Sequence, residues 1–321
     1  MERAVAWLER ERGCALRELE ALPGGAGARR YWRARFADST TAVLMHALPE
    51  DPAVLPPALR SQHVELPFVE VSAFLSRHGL PVPRIHAVEP RERWILLEDL
   101  GDVHLLDLPA SDRGERLREA IDLLARVHGL AREEALPFER VFDREWVRFE
   151  LATFAAHGVE ERFRSALGPE LDRLAVAVAE LPRVLCLRDY QSQNLMIDAT
   201  GRLRLIDYQD ALLAPPELDL AALLFDSYLE LEDAEREALL ARYWQARGSA
   251  PDPAAFALLT VQRKCKDYGR FRYVTEVKHD ARYAPFIERA RAVVLAALPR
   301  LPAAQRPLAE LLRAALARVR P

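Results

Sequence analysis

Three side chains near the middle of the chain have the types and spacing that phosphoryl transfer needs. Asp189, Asn194 and Asp207 lie in the stretch VLCLRDYQSQNLMIDATGRLRLIDYQD, Val184 to Asp210. Mg²⁺ takes oxygen ligands and keeps several waters, so an amide oxygen and a carboxylate suffice beside the phosphates. Asn194 and Asp207 supply that pair. Asp189 is then left to orient an acceptor hydroxyl and take its proton. A single loop aspartate is ordinarily a turn former or a helix cap. The full set, framed by apolar runs, is what points to a metal-bound triphosphate beside a hydroxyl.

The flanking residues say how such a set is positioned. Val184-Leu185-Cys186-Leu187 reads as a short buried strand, and Arg188 to Asn194 as a polar loop. Leu195-Met196-Ile197 and Leu203 to Ile206 read as two strands joined by Asp198-Ala199-Thr200-Gly201, which has the chemistry of a hairpin turn. Asn194 and Asp207 are therefore expected at neighbouring points of one hairpin, with Asp189 on the loop that enters it.

These residues resemble the catalytic and metal-binding loops of the protein-kinase-like fold, in its aminoglycoside phosphotransferase branch. Arg188-Asp189 with Asn194 is similar to that family's catalytic loop, and Ile206-Asp207-Tyr208-Gln209-Asp210 to its metal-binding motif. Within the branch the segment looks most like the bacterial anomeric kinases of N-acetylmuramate and N-acetylglucosamine, whose D-L-x-x-L-L-x-D-x-Y helix is matched by Leu218 to Tyr228. The resemblance implies an α+β, bilobal, protein-kinase-like fold: a mostly β N-lobe with one helix over residues 1–100, and a larger, mainly helical C-lobe over 101–321. It implies an enzyme that uses ATP and Mg²⁺ to phosphorylate a sugar hydroxyl, with Asp189 as base and Asn194 and Asp207 as metal ligands. Asp219 would brace the catalytic loop by accepting backbone N–H bonds; a carboxylate in a first helical turn is also favourable with the helix dipole. The family's histidine two residues before the base is replaced by Leu187, which fills space but cannot donate. Some loss of loop ordering is expected from that change.

Composition excludes several other classes. The net charge of −4 over 321 residues is too near neutral for a general nucleic-acid binder. Cys14, Cys186 and Cys265 are scattered, without disulfide-framework or zinc spacing. No apolar run approaches a membrane span, and the N-terminus lacks the pattern of a signal peptide. A cytoplasmic enzyme with a small-molecule sugar partner, neither nucleic acid nor membrane, is the expectation, with a monomer favoured.

In the first hundred residues a short helix over 1–12 is followed by strands over 17–22, 31–36 and 41–48. The loop between the first two strands holds Gly24, Gly25 and Gly27, whose backbone N–H groups could cover phosphates. No lysine occurs before Lys264, so the phosphate-binding lysine of protein kinases is missing. Arg30 or Arg33 is expected to replace it, because a guanidinium grips phosphate oxygens in pairs. Residues 49–66 are punctuated by prolines and read as loop, ahead of a helix from Pro67. On that helix Glu70 corresponds to the family's lysine partner. Strands over 82–88 and 94–97 lead to Glu98-Asp99-Leu100, which the resemblance makes the inter-lobe linker whose backbone meets adenine.

Helical periodicity then places elements at 115–130, 144–157, 171–181, 218–231, 234–246, 254–273, 285–298 and 308–319. Val261 to Phe271 holds two of the three lysines and two arginines. It resembles the helix lining the acceptor cleft, which makes Arg263 and Lys266 candidate contacts for an anionic sugar. Tyr208, Gln209 and Asp210 are alternative acceptor contacts. Two other readings stay open: a phosphotransferase acting on an aminoglycoside or another hydroxyl, and a nucleotide-binding pseudokinase with a regulatory role. Leu187 and the missing lysine favour the pseudokinase, and the complete Asp189–Asn194–Asp207 set opposes it.

Overall fold

A computed structural model describes residues 1–23, 28–51, 55–60 and 66–317. Helix α1 (Glu2–Arg12) ends at Gly13, whose left-handed φ of 63° closes the C-cap. Strands β1 (Leu16–Leu22), β2 (Arg30–Phe36), β3 (Thr41–His46), β4 (Ile85–Glu89) and β5 (Trp94–Leu97) form one antiparallel sheet in the order β1-β2-β3-β5-β4. Between β3 and β4 lie a single turn, α2 (Pro57–Arg60), and α3 (Pro67–Arg77). The helices expected over 1–12 and from Pro67 are α1 and α3, and the short α2 interrupts the stretch read as loop.

The pleat sends successive strand residues to opposite faces. Leu44 and Leu96 pack with Trp7 and Leu8 of α1 on the outer face. Their neighbours Met45, Ile95 and Leu97 turn inward to Val71, Phe74 and Leu75 of α3. The same inward core continues into Leu117, Ile121 and Leu124 of the next helix, α4 (Ala110–Val127), so the largest apolar cluster runs across both halves.

The second half adds α5 (Leu136–Glu139), α6 (Arg144–Thr153), α7 (Glu161–Ala179), the short strands β6 (Val184–Cys186), β7 (Leu195–Ile197), β8 (Leu203–Leu205) and β9 (Leu212–Ala214), and then α8 (Glu217–Leu224), α9 (Asp233–Arg247), α10 (Pro253–Arg272), α11 (Ala284–Ala297) and α12 (Arg306–Ala315). Helix α7 begins at Glu161, not near Leu171, and runs through Pro169. Its buried stripe of Leu167, Leu171, Leu174 and Val178 outweighs the hydrogen bond that proline removes. Helix α8 stops at Leu224, not Leu231, because Asp226 leaves the helix to accept the Ser192 amide.

One close approach sets the spacing of the second half. A Cβ at Gly269 of α10 would collide with the Phe154 backbone, in the π-helical turn 154–158 that follows α6. Only glycine lets these two segments meet backbone to backbone. That contact brings Glu150 of α6 against Gln262 and Lys266 of α10.

Candidate active site

The β7–β8 hairpin pairs Leu195 with Leu205 and Ile197 with Leu203. Ile206 N–H donates to the Asn194 carbonyl at 3.0 Å, so Asn194 lies beside the residue that precedes Asp207. The turn is set by Asp198, whose carboxylate accepts from the Thr200 and Arg202 amides, and by Gly201 at φ 78°. Asn194 Nδ2 donates to the Asp189 carbonyl at 2.8 Å, which leaves the amide oxygen for a cation. Arg188 and Asp207 both adopt positive φ, 72° and 60°. Each such residue costs roughly 1–3 kcal/mol and persists only where its surroundings fix it.

The surroundings do fix it. Asp219 of α8 is fully buried and accepts the Leu187 N–H at 2.7 Å. Asp226 accepts the Ser192 amide at 2.6 Å and the Tyr228 amide at 2.9 Å. Tyr190 donates its hydroxyl to the Ala120 carbonyl of α4 at 2.7 Å, and the His104 ring meets the Gln193 carbonyl at 2.7 Å. Leu187 is buried and offers Asp219 only its backbone. The imidazole that meets Asp219 is His128, at the end of α4, 3.2 Å away and also bonded to the Tyr243 hydroxyl. Asp226 fell within the matched D-L-x-x-L-L-x-D-x-Y segment without a role of its own, and His128 was not singled out in the sequence. Their roles depend on which elements pack under the loop.

Asp189 is surrounded by cations. Its Oδ1 lies 2.9 Å from Arg263 Nη2 and 3.6 Å from Lys266 Nζ, and its Oδ2 lies 3.7 Å from Arg188 Nη1. Burial pushes the carboxyl up, but Lys266, Arg188 and Arg263 together outweigh it and hold Asp189 well below the usual carboxylate range. Glu150 of α6, buried, balances this charge. It accepts from Arg188 at 3.0 Å, from Gln262 at 2.9 Å and from the Trp146 indole at 3.3 Å. Burial raises its carboxyl too, and the same three cations bring it below normal. Glu150 was not legible in the sequence: it is one carboxylate among many on helical segments, and only the α6–α10 contact gives it a role.

Asp207 accepts an ion pair from Arg29 at 2.9 Å, and Gln209 Nε2 reaches both Asp207 Oδ1 and Asp210 Oδ2 at 3.2 Å. Asp210 pairs with Arg188 at 3.2 Å. A continuous chain of contacts therefore joins Asp207, Gln209, Asp210, Arg188 and Asp189. Asn194 and Asp207 offer an all-oxygen pair, and the Arg29 guanidinium already sits on Asp207 as a stand-in cation; such a pair suits a hard divalent ion.

Several expected residues act differently. Arg33 does not reach toward phosphates. Its guanidinium is committed to Asp99 at 2.9 and 3.1 Å, to Asp102 at 2.8 and 2.9 Å and to the Gly101 carbonyl, so it ties β2 to the linker. Arg30 donates to the Ala28 and Arg29 carbonyls, which shape the loop bearing Arg29. Arg29 is the arginine that crosses to Asp207. One residue earlier than Arg30, it precedes the strand, and strand alternation gives it no direction. Tyr208 is no acceptor contact: it is buried, stacks on Phe68 with ring centres 5.1 Å apart and donates to Ser72 Oγ at 3.1 Å. Gln209 serves the internal chain described above. Arg263 is 2% exposed and binds the Arg188 carbonyl, Gln191, Asp189 and Asp267, so it positions Asp189 and is not exposed to meet a sugar.

In the linker, Glu98 turns to Arg204 of β8 and uses its N–H on the Arg84 carbonyl at 2.8 Å. The Asp99 carboxylate serves Arg33 and the Gly101 amide. Glu70 is exposed, and its charge bears on the buried Arg140, which donates to the Gln209 carbonyl. Gly24, Gly25 and Gly27 lie outside the described residues. Lys266 and Asp210 are the expected acceptor contacts that remain partly exposed, their side chains at 18% and 29%.

An antiparallel sheet over a helical half, with a loop aspartate beside an asparagine–aspartate hairpin, defines a protein-kinase-like phosphotransferase. The chain belongs to the phosphotransferase enzyme family, whose model matches residues 18–259, and the family implies ATP and a divalent metal. An N-acetylmuramate/N-acetylglucosamine kinase of Neisseria meningitidis serogroup B is 29% identical over 294 residues, covering 85% of this chain and 83% of that protein. A protein of the same name from Pseudomonas aeruginosa is 30% identical, covering 82% and 79%. Among solved structures, the choline kinase LicA from Streptococcus pneumoniae superposes with a TM-score of 0.63 at 17% identity, covering 92% of this chain and 99% of that one. An aminoglycoside-3'-phosphotransferase of type VIII gives 0.57 at 22% identity, covering 82% and 98%. Both share the fold. Among the described residues no helix is long and apolar enough to cross a membrane.

Proposed function

We propose that the chain is an ATP- and Mg²⁺-dependent kinase that phosphorylates the anomeric hydroxyl of N-acetylmuramate or N-acetylglucosamine, in the cytoplasm, during recycling of cell-wall sugars. The observation that carries the reading is the Asp189 carboxylate, kept ionised among cations and joined through Asp210 and Gln209 to the Asn194–Asp207 hairpin. The names of the relatives support the sugar. In this reading Asn194 and Asp207 hold Mg²⁺, which neutralises phosphate charge. Arg29 supplies the phosphate cation that a lysine gives elsewhere, and backbone groups around Glu98 to Leu100 meet adenine.

Asp189 orients the acceptor hydroxyl and accepts its proton. Phosphoryl transfer is loose, so little negative charge must build on the attacking oxygen before the P–O bond forms. A carboxylate held below its normal basicity can therefore serve, and it serves best for an acidic hydroxyl. The anomeric hydroxyl is the most acidic of a sugar, because the ring oxygen on the same carbon withdraws electron density. A second reading, an aminoglycoside acceptor, fits less well, since polycations would meet Lys266 and Arg188 at the base. ADP release measured side by side with N-acetylmuramate, N-acetylglucosamine, other hexoses and kanamycin tests the assignment; turnover with kanamycin alone would overturn it. Asp189→Asn is expected to lower kcat by about 10²–10⁴-fold with nucleotide affinity kept. Unchanged turnover would remove Asp189 as the base.

A further inference from the structure

The three cations around Asp189 are not equivalent. Arg263 is buried with its guanidinium engaged by Asp189, the Arg188 carbonyl, Gln191 and Asp267. Arg188 is clamped by Glu150 and Asp210, and lies over the Trp146 ring at 5.5 Å. Lys266 stands apart. Its ammonium is 3.6 Å from Asp189 and 3.7 Å from Glu150, beyond hydrogen-bond range of either, and among the described residues it makes no hydrogen bond. Its side chain is partly exposed, whereas the neighbouring Lys264 is buried on Ser227 and Asp267.

Composition adds a second observation. Only three of the 45 basic residues are lysines, and this one sits beside the base. An ammonium is a compact point charge with three freely rotating donors, which suits it to follow a group that moves between two oxygens.

We propose that Lys266 is a catalytic residue that donates to the equatorial oxygens of the phosphoryl group in transit; this rests on the kinase reading above. During transfer the hydroxyl oxygen forms a bond to Pγ as the bond from Pγ to the β–γ bridging oxygen breaks. The hydroxyl proton passes to Asp189, and ADP leaves with the electron pair. The phosphoryl group is bonded to the same oxygen that Asp189 holds, so a cation this near the carboxylate reaches the phosphoryl oxygens. Glu150, on the other side, keeps the ammonium from closing onto Asp189. A carboxylate carried on a distant ring carbon of the sugar lies farther from this point than the reacting oxygens do.

The test compares wild type with Lys266→Met and Lys266→Arg, using MgATP and each of the two sugars. Lys266→Met is expected to melt like wild type and to lose about 10²-fold or more in kcat, with KM for ATP and for both sugars nearly unchanged. It should lose a similar factor in affinity for ADP–aluminium fluoride, which mimics the transferring phosphoryl group, in the presence of sugar. Lys266→Arg should recover much of the rate. In an Asp189→Asn background, Lys266→Met should still lower the residual turnover, because the two groups act on different atoms. The proposal falls if kcat is retained. It falls too if kcat drops while fluoride-complex affinity holds, which would make Lys266 only a brace for Asp189. A rise confined to KM for N-acetylmuramate would make it a grip on that sugar's carboxylate and would also overturn the proposal. Wild type that releases no ADP with either sugar refutes the functional reading instead.

Discussion

At the scale of single residues, the site separates cations that look alike in sequence. Arg29, Arg30 and Arg33 lie within five positions, yet one crosses to Asp207, one shapes its own loop and one locks the linker. Arg29→Ala is therefore expected to raise KM for ATP by about 10–100-fold, the worth of a lost hydrogen bond to a charged group, with little change in melting temperature. Arg33→Ala leaves the buried Asp99 carboxylate without its cation and is expected to cost about 3 kcal/mol of stability, read as a lower denaturation midpoint. If Arg33→Ala instead behaved like Arg29→Ala, with KM rising and stability intact, the assignment of the two would be reversed.

At the scale of elements, the site is made where α6 and α10 touch. Glu150 comes from one, and Arg263 and Lys266 from the other, while the loop bearing Arg188 and Asp189 passes between them. Gly269 permits the contact. Gly269→Ala inserts a methyl against the Phe154 backbone and is expected to destabilise by about 1–3 kcal/mol, because backbone cannot rotate away as a side chain can. It should also lower kcat, since Glu150 would withdraw from Arg188 and Lys266. A Gly269→Ala variant with wild-type melting and rate would show that the two segments need not touch. The hairpin and its turn were legible in the sequence, as two apolar segments with Asp198 and Gly201 between them. The extents of α7 and α8 were not: a buried stripe carries α7 through Pro169, and the Ser192 amide draws Asp226 out of α8.

At the scale of the whole molecule, one core spans both halves, and buried acids are set into it. Glu217, in the first turn of α8, is 4% exposed, and burial pushes its carboxyl up to about 7, with Asp252 adding repulsion. The folded state then holds a proton that the unfolded chain releases near its ordinary value of 4.5. Stability contributed by that proton is full below about pH 4.5, falls as pH rises toward 7 and is lost above it. Glu217→Gln should remove this slope and be more stable than wild type at pH 8 by roughly 3 kcal/mol, from denaturant midpoints across that range. Equal midpoints at pH 8 would mean that Glu217 is ionised in the fold without cost.

Asp189, Asn194 and Asp207 were readable from the chain because their spacing is local. A loop and a hairpin bring them together over a short contour, and turn residues announce both. The same locality made the strands of the sheet and most helices readable, since periodicity is a property of neighbours in sequence. What the tertiary structure alone decided is which charge meets which: Arg29 on Asp207, Glu150 under Arg188, His128 beneath the loop. Those pairs join residues far apart along the chain, and each side chain's type is common. Only the packing of α4, α6, α8 and α10 around one loop, fixed by their apolar faces, selects the partners.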